Sequence, residues 1–139
     1  MQNTPIRVGA LLCLLIFTAN ADAIVIRHDA GSTGFEQPPQ RIVALTWSQA
    51  DILLTLGITP VGVASVPGYH KWHSNRPPLP ASVVDVGHRG NPNLEVIAGL
   101  QPDLILGYNF RHANQLGRLQ SIAPTPLYRQ YPSGHDNQF

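Results

Sequence analysis

Four short apolar runs constrain the fold of this chain more than any other feature: Arg41-Ile-Val-Ala-Leu45, Pro60-Val-Gly-Val-Ala64, Val83-Val-Asp-Val86 and Asp103-Leu-Ile-Leu106. Each is too short for a helix and too continuously apolar for a strand with one wet face, so each predicts a strand buried on both sides. Between them the spacing changes to that of helices. Ala50, Leu53 and Leu54 share a face, with Ile52 and Leu56 beside it, Ser48 available as a cap and Gly57 as a stop. Asn91-Pro92-Asn93 introduces a second helix carrying Leu94, Ile97 and Ala98, which Pro102 ends, and a third is expected over Ala113–Ile122 with Leu116 and Leu119 inward. Ile24–Asp29 reads as an alternating strand, Ala30–Gly34 as its turn, and Pro124–Tyr128 as the start of a last strand. Strands alternating with helices predict an α/β fold, a doubly wound parallel sheet with helices on both faces.

The first 23 residues stand apart. Arg7 precedes the apolar run Val8–Ala19, and Ala19-Asn20-Ala21-Asp22-Ala23 offers small residues where a signal peptidase cuts. The run is too short to span a bilayer of roughly 30 Å as a helix. A cleavable export signal over residues 1–23 is therefore expected, with one domain over residues 24–139. The single cysteine, Cys13, lies inside that signal, so the exported chain would have no disulfide and no thiolate. Export without disulfides suits a bacterial periplasm. The formal net charge of +1 and the lone lysine, Lys71, exclude a basic patch for nucleic acid or anionic membrane. A monomer is expected.

In sheets of this kind ligands bind beyond the carboxyl ends of the strands. Those ends carry Thr46-Trp47, the stretch Ser65 to Trp72, His88-Arg89 and Tyr108 to Arg111. Polar and aromatic side chains thus gather on one rim. Residues 66–82, with four prolines, read as one long connection, of a length that is usually functional or disordered. Arg89 follows a strand and precedes Gly90; its planar fork suits delocalised oxygen anions, the alternative being a surface arginine paired with an acid. Trp47, Tyr69, Trp72 and Tyr108 can wall a cleft or simply pack. His70 and His73, with His88 and His112, raise the option of a metal site, but no carboxylate nearby completes a shell and no metal ligand is assigned. No G-x-S-x-G elbow, P-loop, G-x-G-x-x-G or spaced pair of carboxylates is present, so no catalytic residue and no cofactor is assigned.

The strings Arg41-Ile-Val-Ala-Leu-Thr-Trp47, Leu54-Thr-Leu-Gly-Ile-Thr-Pro-Val-Gly-Val-Ala64, Asp85-Val-Gly-His-Arg89, Pro92-Asn-Leu-Glu95 and Leu100-Gln-Pro-Asp-Leu-Ile105 resemble periplasmic iron–siderophore binding proteins of ABC importers, the ferrichrome/hydroxamate type most of all. The likeness covers about residues 38–106. It implies two α/β lobes joined by a long helix, a ferric hydroxamate held between them, and an inner-membrane permease as partner. This chain would supply the N-terminal lobe, with the C-terminal lobe absent. The resemblance implies that Arg89 meets the oxygens around the ferric ion, that Trp47 and Trp72 line the pocket, and that Glu95 docks on the permease. Where the family carries an aromatic pair this chain has Gly107-Tyr-Asn-Phe-Arg111, so Tyr108 and Arg111 stand in for it. A binding protein, not an enzyme, is expected. Haem, cobalamin or a free metal as cargo, or a small α/β hydrolase, are the alternatives.

Overall fold

A computed structural model describes residues 23–29, 31–73 and 75–129. Apart from Ala23, the expected export signal lies outside the described residues, as does the tail from residue 130. The described chain opens with an antiparallel hairpin, β1 (Ile24–His28) on β2 (Gly31–Phe35). The turn expected over Ala30–Gly34 is thus mostly strand. Gly31, at φ +130°, already pairs with His28, and Thr33 pairs with Ile26 while its hydroxyl meets the His28 ring at 3.0 Å. A β-branched residue in a run of glycine and serine favoured pairing over a loop.

The remaining elements follow in chain order. First come β3 (Ile42–Ala44), α1 (Trp47–Thr55), β4 (Gly62–Val63), α2 (Val66–Trp72) and β5 (Val84–Asp85). A short antiparallel pair, β6 (Gly87–His88) and β7 (Asn91–Pro92), precedes α3 (Leu94–Gly99). Then come β8 (Leu104–Tyr108), α4 (Asn109–His112), a 3₁₀ turn (Ala113–Gln115), α5 (Leu116–Gln120) and β9 (Leu127–Tyr128). The main sheet has five strands in the order β5-β4-β3-β8-β9, and every pairing is parallel. The chain winds outward from β3 in one direction and then, through β8, in the other. The expected doubly wound α/β sheet is the observed one, with its switch point between β3 and β8.

Alternate residues of β3 explain why its sequence is apolar throughout. Ile42 and Ala44 enter a core with Ala50, Leu53 and Tyr69, on the side of α1 and α2. Val43 and Leu45 enter a second core with Ile97 and Leu119, on the side of α3 and α5. Each such valine, leucine or isoleucine side chain contributes about 1.5–3 kcal/mol by leaving water.

Three local expectations are corrected. The stretch 66–82 is not one connection: Val66–Trp72 is helical, with Pro67 in the first turn, where its missing N–H is not needed. Ser48 is not the cap of α1; Thr46 holds that position in extended conformation, and its hydroxyl donates to Gln49 Oε1 at 2.9 Å. The third helix begins earlier than expected and is interrupted, because His112 turns inward instead of following the helical face.

At the amino ends of the strands, Asp103 accepts the backbone N–H of Gln40 (2.7 Å) and of Arg41 (2.9 Å). The Arg41 guanidinium donates to the carbonyls of Leu100 (2.6 and 3.1 Å) and Gln101 (3.2 Å). This clamp ties the start of β3 to the segment that leads into β8, and it accommodates Gln101 at φ +48°.

Candidate functional site

The opposite, carboxyl ends of the strands form a cleft of about 170 Å³ lined by Thr46, Trp47, Ser48, His73, Arg89, Tyr108 and Arg111. It lies over the switch point, where β3 passes into α1 and β8 into α4. The two sides are tied by Gln49, whose amide donates to the Gly107 carbonyl at 3.0 Å.

Trp47 is the floor. Its indole N–H donates to the carbonyls of Ala64 (3.1 Å) and Ser65 (3.2 Å), which fixes the ring plane. Gly68 of α2 lies against the ring's edge; a Cβ there would come within 2.7 Å of Trp47. The His73 ring stands edge-on to Trp47 with centroids 5.2 Å apart, and its Nδ1 lies 3.3 Å from Asp51. Asp51 also receives the Tyr69 hydroxyl at 2.7 Å. Burial and this carboxylate push the Tyr69 pKa up to about 12.

Arg89 lies over that floor, its guanidinium carbon 3.6 Å from the Trp47 ring centroid. Stacking of a cation on an indole is worth about 0.5–2 kcal/mol, and it leaves the edge N–H donors available. Arg89 sits on the turn between β6 and β7, and that turn is held from several directions. The Asp85 carboxylate accepts the N–H of Ser65 (3.1 Å) and Gly87 (2.9 Å). Ser65, at φ +57°, also donates its N–H to the Gly87 carbonyl at 2.7 Å. From α4, His112 Nε2 meets the Arg89 carbonyl at 2.7 Å, and from the 3₁₀ turn Gln115 donates to the Gly90 carbonyl at 3.0 Å.

A carbonyl can only accept, so Nε2 of His112 carries a proton toward Arg89, while Nδ1 lies 3.0 Å from the Tyr108 backbone nitrogen and 3.1 Å from the Tyr108 carbonyl oxygen. Burial is the main cause that lowers its pKa, opposed by the two backbone hydrogen bonds, so the ring is neutral at pH 7. Gly107 makes room for it, since a Cβ there would lie 2.9 Å from Nδ1.

Arg111 borders the same cleft, its guanidinium 4.7 Å from the Phe110 ring. Neither Arg89 nor Arg111 forms an ion pair with a carboxylate among the described residues. Burial first, and then the charge of Arg111, lower the Arg89 pKa.

The structure therefore brings together Trp47, Arg89, Tyr108 and Arg111. Trp72 is not among them. It is 69% exposed and lines a neighbouring hollow of about 270 Å³ with His73, Asn75 and Arg76, because α2 carries it past the cleft. Glu95 is exposed in the first turn of α3, where the Asn93 side chain caps the helix through the N–H of Glu95 (3.0 Å) and Val96 (3.2 Å). The histidines are dispersed: His70 is exposed, His88 accepts from the Gly90 N–H, and His112 is enclosed. Among the described residues, no three or more of His, Cys, Asp and Glu group as a metal shell. The parts that sequence reasoning missed are supports. Asp85 and Gly87 stand in the Asp85–Arg89 string without a role assigned to them, and Gln115 gave no signal.

Comparison with known proteins places this geometry. The chain is 50% identical over 68 residues to the iron(3+)-hydroxamate-binding protein FhuD of Escherichia coli, covering 49% of this chain and 23% of that one. It is 36% identical over 127 residues to the Fe(3+) dicitrate-binding periplasmic protein FecB of the same organism, covering 84% and 39%. The solved structure of the siderophore-binding protein FhuD from Vibrio cholerae, bound to Fe3+–Desferal, superposes with a TM-score of 0.60 at 41% identity, over 63% of this chain and 32% of that one. The chain thus spans less than two fifths of the length of these relatives. The family model described as periplasmic binding protein matches residues 42–139, which include the whole parallel sheet and every residue of the cleft, and the chain belongs to that family.

Proposed function

We propose that this domain is the first lobe of a periplasmic substrate-binding protein that presents ferric siderophores to an ABC permease, and that its cleft is one wall of the ligand site. The observation that carries this reading is Arg89: a guanidinium stacked on Trp47 at 3.6 Å, without a carboxylate partner among the described residues, at the switch point of a parallel sheet. A siderophore already saturates its iron, so the protein has no coordination to provide. A cation for the chelating oxygens and an aromatic floor for the organic shell are sufficient. The size of the cleft agrees with a part-site, since about 170 Å³ is below the roughly 300–1,000 Å³ of pockets that enclose a small molecule.

The relatives named above bind ferric hydroxamate and ferric dicitrate, and both chelates expose delocalised oxygens to a donor of this kind. The hydroxamate class follows from the resemblance and from the larger local identity. Within this reading Trp47, Arg89, Tyr108 and Arg111 contact ligand, Trp72 borders it, and Glu95 meets the permease. The family's members are binding proteins, and no reaction is assigned to the cleft.

The test is quenching of tryptophan fluorescence by ferric siderophores, read in the parent chain and in Arg89→Ala. Loss of a charge-assisted contact of about 1.5–3 kcal/mol predicts roughly tenfold to hundredfold weaker binding. Equal affinity in the two proteins would refute the assignment.

A further inference from the structure

One buried polar atom at the edge of the cleft has no hydrogen bond. His73 Nδ1 is enclosed and lies 3.3 Å from an Asp51 carboxylate oxygen, but out of hydrogen-bond alignment. A buried polar atom left in this state is uncommon and costs free energy. The neutral imidazole gains little from the carboxylate, whereas an imidazolium needs only proximity to form a charge pair. The ring borders both the cleft and the hollow that holds Trp72. Its other neighbours divide by sign. The rings of Trp47, with centroids 5.2 Å apart, and of Tyr69, at 4.8 Å, favour a cation beside them. Tyr69 keeps its proton and gives it to Asp51 in a hydrogen bond of 2.7 Å. Against protonation stand Arg76, which shares Asp51 at 3.7 Å, and Arg89 and Arg111, which line the same cleft. Tyr108 completes the titratable groups of that cleft.

We infer that His73 is a proton-linked ligand contact: a ferric chelate enters the cleft together with a proton on His73, whose Nε2 then donates to a chelate oxygen while Asp51 balances the charge at Nδ1. The inference rests on the reading of the cleft as a siderophore wall and adds a proton to its binding. The donor count requires that proton. With Nδ1 facing a carboxylate, which only accepts, the neutral ring keeps its one proton there and presents a lone pair at Nε2. Oxygens coordinated to iron are acceptors as well, so ring and chelate repel until the imidazole takes a second proton from solvent. The coupling does not depend on the net charge of the chelate, because a neutral ferric trihydroxamate also presents coordinated oxygens. Binding and mild acidification therefore assist each other, as linked equilibria must. His112 acts in the opposite sense and at lower pH, since its pKa is depressed and its charging would disturb the Arg89 turn.

The experiment uses ferrichrome, a neutral ferric trihydroxamate with no group of its own that titrates between about pH 6 and about pH 8. Its binding to the full chain is followed across that range by tryptophan quenching. Calorimetry in two buffers of different protonation enthalpy counts the protons taken up. Affinity should rise roughly threefold to tenfold from about pH 8 to about pH 6, with part of a proton bound per chelate. His73→Gln, which cannot take the proton, should flatten the profile and bring the count to zero, and Asp51→Asn should reduce both. Arg89→Ala should bind more weakly throughout and keep the slope. A flat profile in the parent chain, proton release on binding, or a slope unchanged by His73→Gln overturns the inference and leaves the siderophore reading standing. If ferrichrome does not bind, or binds Arg89→Ala as tightly as the parent, the siderophore reading itself fails and the inference with it.

Discussion

Arginine is used in opposite ways at the two ends of this sheet. At the amino ends Arg41 gives its donors to the carbonyls of Leu100 and Gln101, and its own N–H to Asp103. At the carboxyl ends Arg89 rests on an indole, and its side chain has no hydrogen-bond or ion-pair partner among the described residues. The first arrangement consumes the guanidinium to join two loops. The second keeps it oriented and unspent. A satisfied arginine is a fastener, whereas an unsatisfied one over a rigid aromatic floor is a receptor, and the side chain alone does not say which it will be.

The strongest way to break this contrast is to remove what holds the receptor end in place. His112→Ala opens a cavity and strands the Arg89 carbonyl and Tyr108 N–H, so it should lower stability by about 3 kcal/mol in a denaturant titration. It should also weaken ligand binding in the protein that remains folded, because the Arg89 turn is released. Next in size is the fastener end. Asp103→Ala removes the acceptor of two backbone N–H groups and should cost about 2 kcal/mol of stability, leaving the affinity of the folded fraction unchanged. Arg41→Ala should act likewise, by about 1–2 kcal/mol. Arg89→Ala should do the reverse, weakening binding while costing at most the roughly 0.5–2 kcal/mol of the lost stacking on Trp47. If Arg41→Ala impaired binding while Arg89→Ala unfolded the domain, the division of labour would be wrong.

A smaller effect sharpens the picture through pH. The folded-state pKa of His112 is lowered, so the unfolded chain takes up its proton first as pH falls. The associated stability is fully present above the ordinary histidine value of about 6.5 and is lost below it, toward the depressed folded value. A stability profile between pH 7 and 5 should therefore fall more steeply in the parent than in His112→Gln; identical slopes would contradict the buried neutral ring. The least effect is expected of Trp72→Phe. It lies in the hollow beyond His73, so it should change affinity by less than about threefold and stability by less than about 0.5 kcal/mol. A large loss of affinity would put Trp72 back in the cleft.

Much of the architecture was legible because burial on both faces of a strand leaves an unmistakable pattern. Ile42 through Leu45 are apolar without interruption since odd and even positions enter different cores. The rim was legible for a topological reason: in a parallel sheet all carboxyl ends lie together, so Trp47, Trp72, Arg89, Tyr108 and Arg111 were confined to one edge of the sheet once the strands were placed. Short elements escaped. Val66–Trp72 has seven residues, with a proline and a glycine among them, and presents no period, and the interruption after His112 depends on a carbonyl 23 positions earlier in sequence.

By itself, the sequence determined the alternation of strand and helix, hence the parallel sheet and the end of it on which a ligand site can form, because periodicity and chain reversal are local properties. Only the tertiary structure decided which side chains at that end share a cleft, that Trp72 passes beside it, that His112 and Gln115 are supports, and which of the arginines remains unspent. Those outcomes turn on contacts between residues far apart in sequence, where a shift of a few ångströms turns a partner into a neighbour, and no local pattern encodes such distances.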